Sequence, residues 1–342
     1  MSVKFNSFVL AIIHSNYIMN YLKTTFAGLS LPNPIIIASS GLTATAEKNK
    51  ELEKAGAGAI ILQSIFEEQI EIQTNTSTRI LSPETGDLNR NIEKSLQIAD
   101  YLQLIQETKK RCHIPVIASI ICHKVGNWIN FVRQIEMVGA DAIEINIFEL
   151  HTENKGYNNS LEQIYLQITE KVKALISIPV IVKISKYFSH IVQLATDLQS
   201  AGADGIVLFS RFYQPDIDIH RLQINSGDVF SSCTDIAETL RWTPIVSSKL
   251  PNLSIASCTG IHDWEGIIKC ILSGASAVEI CSTVYQNGNE IISVMKRGIE
   301  EWMNFMNFRS IEAFKSKLST VYLKDPSLHE RTQFRKYFSE RD

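Results

Sequence analysis

Eight short, apolar, β-branched runs recur along the chain, spaced so that a helix fits between most successive pairs: Pro34 to Ser39, Ala59 to Ser64, Pro115 to Ile120, Ala142 to Ile147, Pro179 to Ser185, Gly205 to Ser210, Leu253 to Ser257 and Ala277 to Ser282. Runs of this length that are apolar on both faces suit parallel strands covered by helices. Their entries alternate in kind. The even runs follow a glycine and an alanine, as in Gly56-Ala57-Gly58-Ala59, Gly139-Ala140-Asp141-Ala142, Gly202-Ala203-Asp204-Gly205 and Gly274-Ala275-Ser276-Ala277. Among the odd runs, Pro34, Pro115 and Pro179 each stand first, where a missing N–H costs no ladder bond.

Helical patterns separate the runs at Glu47 to Ala55, Ile92 to Arg111, Asn127 to Val138, Leu161 to Ile176, Ile191 to Ala201, Asp263 to Leu272 and Glu290 to Phe305, often with a glycine as a stop. Eight strand–helix units predict a (β/α)8 TIM barrel. A doubly wound sheet would show a glycine-rich phosphate loop after its first strand, and Ser39-Ser40-Gly41-Leu42-Thr43 is not one. The expected organisation is a loose extension over residues 1–20, a single barrel over 21–308 and a C-terminal helical tail over 309–342. The first 18 residues carry one lysine and a short apolar patch but no small-residue cleavage site, so they read as an extension rather than a signal peptide, with Met19 as a candidate start.

Several function classes drop out on composition. Lys plus Arg is 33 against Asp plus Glu 36, a formal charge of -3, which gives no basic excess to drive nucleic-acid binding. No apolar run reaches the roughly 18 to 20 residues of a membrane helix. The six cysteines, Cys112, Cys122, Cys233, Cys258, Cys270 and Cys281, form no C-x-x-C pair, so no metal site is expected and a reducing, cytoplasmic setting fits.

In such a barrel the chemistry gathers at the C-terminal ends of the strands. Those ends carry Ser39, Ser40 and Gly41; Gln63 and Ser64; Ser119; Asn146; Lys183 and Ser185; Ser210 and Arg211; Thr259, Gly260 and Ile261; and Ser282 and Thr283. Lys183, inside Pro-Val-Ile-Val-Lys-Ile-Ser, is the most informative, because an ammonium in an apolar strand needs a negative or electron-rich partner. It can form a Schiff base, hold negative charge on a cofactor ring, or snorkel to solvent. The turn Ser257-Cys258-Thr259-Gly260-Ile261 and the start Ser282-Thr283 suit a phosphate, received by backbone N–H groups and hydroxyls. They also suit plain turns and caps.

Taken together, these segments resemble the dihydroorotate dehydrogenases, and most closely the branch called dihydroorotate dehydrogenase-like. The similarity runs from about Tyr21 to Phe308 and rests on Leu-Pro-Asn-Pro-Ile-Ile-Ile-Ala-Ser-Ser-Gly at 31 to 41, Glu-Ile-Asn-Ile at 144 to 147, the Lys183 strand, Ala-Gly-Ala-Asp-Gly-Ile-Val-Leu-Phe at 201 to 209, and Ser-Gly-Ala-Ser-Ala-Val-Glu-Ile-Cys-Ser-Thr at 273 to 283. The resemblance implies FMN, a CH–CH bond as hydride donor, a small anionic substrate, pyrimidine biosynthesis and a homodimer. It places the flavin-contacting lysine on Lys183, the asparagine after strand four on Asn146, and phosphate contacts on Gly260 and Ser282. With the other strand ends, the expected cofactor set is Ser39, Ser40, Gly41, Gln63, Ser64, Asn146, Lys183, Ser210, Thr259, Gly260, Ile261, Ser282 and Thr283.

The substrate half departs from the family. Gln63 stands where the family has a lysine, and the loop Asn-x-Ser-Cys-Pro-Asn, whose cysteine is the base, reads Asn146-Ile147-Phe148-Glu149-Leu150-His151. After strand six an asparagine and hydroxyl pair is replaced by Ser210 and Arg211. Glu149 and His151 are the candidate bases beside Lys183, and Asn146, Ser210 and Arg211 the candidate substrate contacts, with Arg211 able to grip a carboxylate or to pair with Asp216 or Asp218. Two other readings compete: a Schiff-base lyase or aldolase barrel using Lys183, and a flavin-binding barrel without catalysis.

Overall fold

A computed structural model describes residues 21–74, 97–150, 160–212 and 214–321. Eight parallel strands, Ile35–Ile37, Ala59–Ile61, Val116–Cys122, Ala142–Ile147, Val180–Ile184, Gly205–Leu208, Ser254–Cys258 and Ala277–Ile280, pair in chain order. The eighth pairs with the first through Val278 and Ile35, which closes the barrel. The expected (β/α)8 fold is therefore the one formed. The second strand breaks after Ile61 and resumes as Ile65–Phe66, still against the third strand.

The alternating entries have a physical cause. Gly56, Gly139, Gly202 and Gly274 stop the preceding helices with φ of +109°, +95°, +101° and +118°, a left-handed conformation that side chains disfavour. The aspartates that follow two of them cap the odd strands next door. Asp141 accepts from Val116 N at 2.7 Å and pairs with Lys109 at 2.6 Å; Asp204 accepts from Val180 N at 2.8 Å and pairs with Lys173 at 2.6 Å. The prolines sit just before their strands, where their carbonyls serve the ladder: Pro115 O accepts from Ile60 N and Pro179 O from Ile143 N.

The barrel floor is closed by a hairpin, Thr24–Phe26 with Leu29–Leu31, which the sequence reading did not anticipate. Its Phe26 and Leu31 are fully buried with Ile36, Ile117, Ile181 and Val207 from the strand interiors. Each such side chain contributes about 1.5–3 kcal/mol by leaving water. Outside the strands lie the helices, including Ala46–Ala55, Ile98–Arg111, Leu161–Lys173, Ile191–Ser200, Trp264–Ser273 and Glu290–Phe305. Thr45, Ser160 and Asp263 accept hydrogen bonds at three of their N-termini.

Three local expectations change. Asn127 to Val138 forms a 3-10 turn, Asn127–Phe131, before the helix Val132–Met137. The helix Ile236–Lys249, with Pro244 inside it, adds to the helices named from sequence. Residues 309–321 run as turns that pack Ile311 and Phe314 into the core, rather than as a helix. The expected extension 1–20, and the tail beyond 321, lie outside the described residues. No helix among those described is long and apolar enough to cross a membrane.

Between helix and barrel, Tyr101 is fully buried; its hydroxyl donates to Ser119 O at 3.0 Å and accepts from Ser119 N at 2.7 Å on the third strand. Tyr101→Phe leaves both backbone groups without this partner and should destabilise the protein by about 1–3 kcal/mol. Urea unfolding is the measurement; an unchanged midpoint would show that the bridge contributes nothing.

Candidate active site

At the C-terminal mouth the strands and loops enclose a cavity of about 390 Å³. That volume lies in the range of small-molecule sites. Lys183 reaches it from the fifth strand and is 6% exposed. Asn146, its neighbour in register on the fourth strand, also lines the cavity. Ser210 donates to Asn146 Oδ1 at 2.7 Å, which orients the amide. Across the mouth, Ser39 Oγ lies 2.7 Å from Ser64 Oγ, and Ser64 Oγ lies 2.8 Å from Ser119 Oγ, a chain of hydroxyls ending on the strand that Tyr101 holds.

At the cavity floor the charges are paired. Lys183 Nζ lies 2.5 Å from Glu279 Oε2 on the eighth strand and 3.9 Å from Glu144 Oε1 on the fourth. Both glutamates are buried. Burial alone opposes the charge on Lys183, but Cys258, Glu144 and Glu279 together outweigh it and hold the amine well above its usual range. Glu144 is pushed well above the carboxylate range by burial and then by Glu279, against the pull of Lys183. Burial also raises the Cys258 thiol to about 12, which keeps it protonated.

After the seventh strand, Thr259 and Gly260 take φ of +73° and +79° in succession. A Cβ on Gly260 would lie 2.1 Å from Ile236 N, so close packing against the Ile236–Lys249 helix requires a glycine whatever the ligand. A turn of this kind gathers backbone N–H groups, the arrangement that receives anions. Ser282 opens the short helix Ser282–Asn287, and its hydroxyl accepts from Ser231 N at 3.0 Å.

Ser231 belongs to an excursion after the sixth strand that includes an exposed hairpin, Pro215–Asp218 with Gln223–Ser226. The excursion returns across the mouth, where Ser231 Oγ meets His262 Nε2 at 3.0 Å. Arg211 fastens it by donating to Asp228 O at 2.7 Å and Phe230 O at 3.0 Å, with Asp235 at 4.0 Å. Phe148 and Phe212 stack at 4.6 Å, and Phe230 lies 5.4 Å from Tyr285; all four rings line the cavity.

Of the expected cofactor residues, Ser39, Ser64, Asn146, Lys183 and Ser210 line the cavity, as do Thr259, Gly260, Ile261 and Ser282. Four do not. Ser40 caps the turn Gly41–Thr43 by accepting from Leu42 N. A Cβ on Gly41 would lie 3.0 Å from the hydroxyl of Tyr285, the side chain that does line the cavity at this point. Gln63 falls in the break of the second strand, where strict alternation lapses and Ser64 takes the inward place. Thr283 is fully buried and donates to His262 O at 3.1 Å. Among the candidate bases, Glu149 does not line the cavity and His151 lies outside the described residues. The expected substrate contact Arg211 lines the cavity with its guanidinium bound to the returning loop, and to neither Asp216 nor Asp218. Glu144 and Glu279 were missed, although a glutamate amid apolar strand residues carries the same signal as Lys183.

The family model described as dihydroorotate dehydrogenase matches residues 21–303. Curated relatives include the protein named dihydroorotate dehydrogenase B (NAD(+)), catalytic subunit, of Thermoplasma volcanium, 26% identical over 305 residues that cover 86% of this chain and 97% of the relative. The protein of the same name from Pyrococcus furiosus is 27% identical over 299 residues, covering 85% and 96%.

The buried carboxyl makes a pH prediction. The pKa of Glu144 is raised in the folded state, so the folded state binds its proton more tightly and this group's contribution to stability falls as pH rises above the ordinary glutamate value of about 4.3. Glu144→Gln removes that loss. The variant's advantage over the wild type should therefore grow between about pH 4.3 and neutrality, read by thermal unfolding across pH; parallel profiles would contradict it.

Proposed function

Because the chain belongs to the dihydroorotate dehydrogenase family, we propose that the mouth cavity is an FMN site at which hydride is taken from a CH–CH bond of a small anionic substrate. The chain is an FMN-dependent oxidoreductase of dihydroorotate dehydrogenase type. The observation that carries the site assignment is Lys183, a buried ammonium at the floor of the cavity beside Asn146. The donor set fits the cofactor: an ammonium, an oriented amide and serine hydroxyls line one cavity with the left-handed turn at Thr259 and Gly260 and the helix start at Ser282. When bound, FMN supplies the hydride-accepting ring.

This chain's residues have separate tasks. Lys183 would face a bound ring as a hydrogen-bond donor, and Asn146, oriented by Ser210, would donate from its amide. The Thr259–Ile261 turn and Ser282 would take its phosphate. The loop fastened by Arg211 excludes water from the mouth. A Schiff-base role for Lys183 is disfavoured, because Glu279 keeps the amine protonated and so without a nucleophilic lone pair. A cytoplasmic homodimer belongs to the same proposal, on the strength of the family resemblance. The relatives are named as catalytic subunits of an NAD(+) enzyme, which supports an electron acceptor outside this chain.

The substrate half supports a departure from dihydroorotate. Gln63 is off the cavity, Phe148 fills the rim where the family has a serine, and Arg211 is engaged with the loop.

Two measurements follow. The purified or reconstituted protein should bind FMN at about one per chain, and Lys183→Ala should weaken binding or make the flavin harder to reduce; saturating FMN that perturbs neither its own spectrum nor the melting temperature would sink the proposal. Dihydroorotate turnover should fall at least about a hundredfold below that of an authentic dihydroorotate dehydrogenase, since losing a base and a charged contact costs several kcal/mol. Stopped-flow reduction of the flavin by dihydroorotate at about 1 per second or faster would overturn this.

A further inference from the structure

The floor of the cavity holds one cation and two acids. Glu279 lines the cavity with Lys183 and sits 2.5 Å from its Nζ, while Glu144 stands 3.9 Å away. Among the described residues, no donor group reaches Glu279 Oε1 or either Glu144 oxygen, and the two carboxyls lie close enough to share a proton. Three ionisable groups amid apolar strands are a poor way to build a core. Desolvating such a pair costs several kcal/mol, and well-packed apolar residues of similar volume are often at least as stable. The rest of the strand interior, with Ile36, Ile117, Ile181 and Val207, shows what this barrel uses where only packing matters.

The net charge of the cluster decides what Lys183 offers a ligand. Hydride addition delivers two electrons and one proton, so an accepting ring gains one unit of negative charge. A free ammonium beside the ring would stabilise that charge strongly. An ammonium already matched by a carboxylate stabilises it much less, because at similar distances the two fields largely cancel. Glu144, at 3.9 Å from Nζ against 2.5 Å for Glu279, is the more distant partner of the two.

We propose that Glu279 is a positioning residue that holds Lys183 in place and neutralises it, so that the flavin bound above has a low reduction potential. The inference rests on the FMN assignment for the same cavity. The hydride balance is unchanged by it: Glu279 exchanges no proton or electron with the substrate, and acts only on the relative affinity of the cavity for reduced and oxidised flavin.

The test is the midpoint potential of the FMN-loaded protein, measured by dye-linked spectroelectrochemistry at one pH for the wild type, Glu279→Gln and Glu144→Gln. Removing the Glu279 charge should favour reduced over oxidised FMN by about tenfold, an upward shift of about 30 mV for the two-electron couple. Glu144→Gln leaves the closer partner of Lys183 in place and should shift the potential far less. A purely structural role for Glu279 would change the melting temperature and leave the potential where it was. Should Glu279→Gln not fold with FMN bound, Glu279→Met removes the same charge on an unbranched apolar side chain, with the same upward shift expected. An unchanged or lower potential in a folded, flavin-loaded Glu279 variant overturns this inference alone. A wild-type protein that binds no FMN overturns the site assignment beneath it.

Discussion

A lysine ammonium in the interior of a closed β-barrel is the constraint around which the site is organised. It cannot stay charged in an apolar strand without a partner, and the strands supply Glu279 at 2.5 Å and Glu144 at 3.9 Å. Those three side chains come from the fifth, eighth and fourth strands, so the ion cluster exists only once the barrel has closed through the pairing of Val278 with Ile35. Closure and charge compensation are thus one event in folding terms. Below this layer, Phe26 and Leu31 seal the floor and help exclude water from the pair. Above it, the only direction left for the amine to act is the mouth.

The barrel was legible because its repeat has a mechanism that leaves marks in sequence. Each even strand needs a left-handed stop before it, which selects glycine at 56, 139, 202 and 274. Two of those entries then place an aspartate where it can accept from the first N–H of an odd strand that follows a proline. The Ile236–Lys249 helix was not among those named from sequence; Pro244 is a strong local signal against a helix, overridden here by packing of Val246 and of the backbone against Gly260. The floor hairpin was missed for a similar reason: Thr24–Phe26 and Leu29–Leu31 are too short to carry a periodic pattern.

At the site, residue type was easier to read than partnership. Lys183, Asn146, Ser64 and Gly260 stand at strand ends, where the barrel rule alone nominates them. Whether a strand-end residue faces the cavity depends on local geometry that sequence does not carry: Gln63 loses its place because the second strand breaks, and Thr283 because its hydroxyl is turned to His262 O. Arg211 shows the same limit for charge. A guanidinium after the sixth strand suggests an anion, yet its hydrogens go to two backbone carbonyls of the returning loop. Those carbonyls would otherwise need water at the rim of the mouth, so the arginine closes the loop by satisfying it.

The floor and the rim of the cavity are therefore built from different materials and answer different demands. The floor is ionic, rigid and held from three strands, so a change there alters the field on whatever lies above it. The rim is aromatic, with Phe148 on Phe212 and Phe230 beside Tyr285, and comes from loops and a short helix whose positions depend on one arginine and on Ser231. Those polarizable faces stand among polar side chains, including Gln214, Ser226 and Ser231, so the rim offers stacking and hydrogen bonding together. Positions 148, 212 and 230, where this sequence places rings, thus face the same cavity as the ionic floor but answer to the loops and not to the strands.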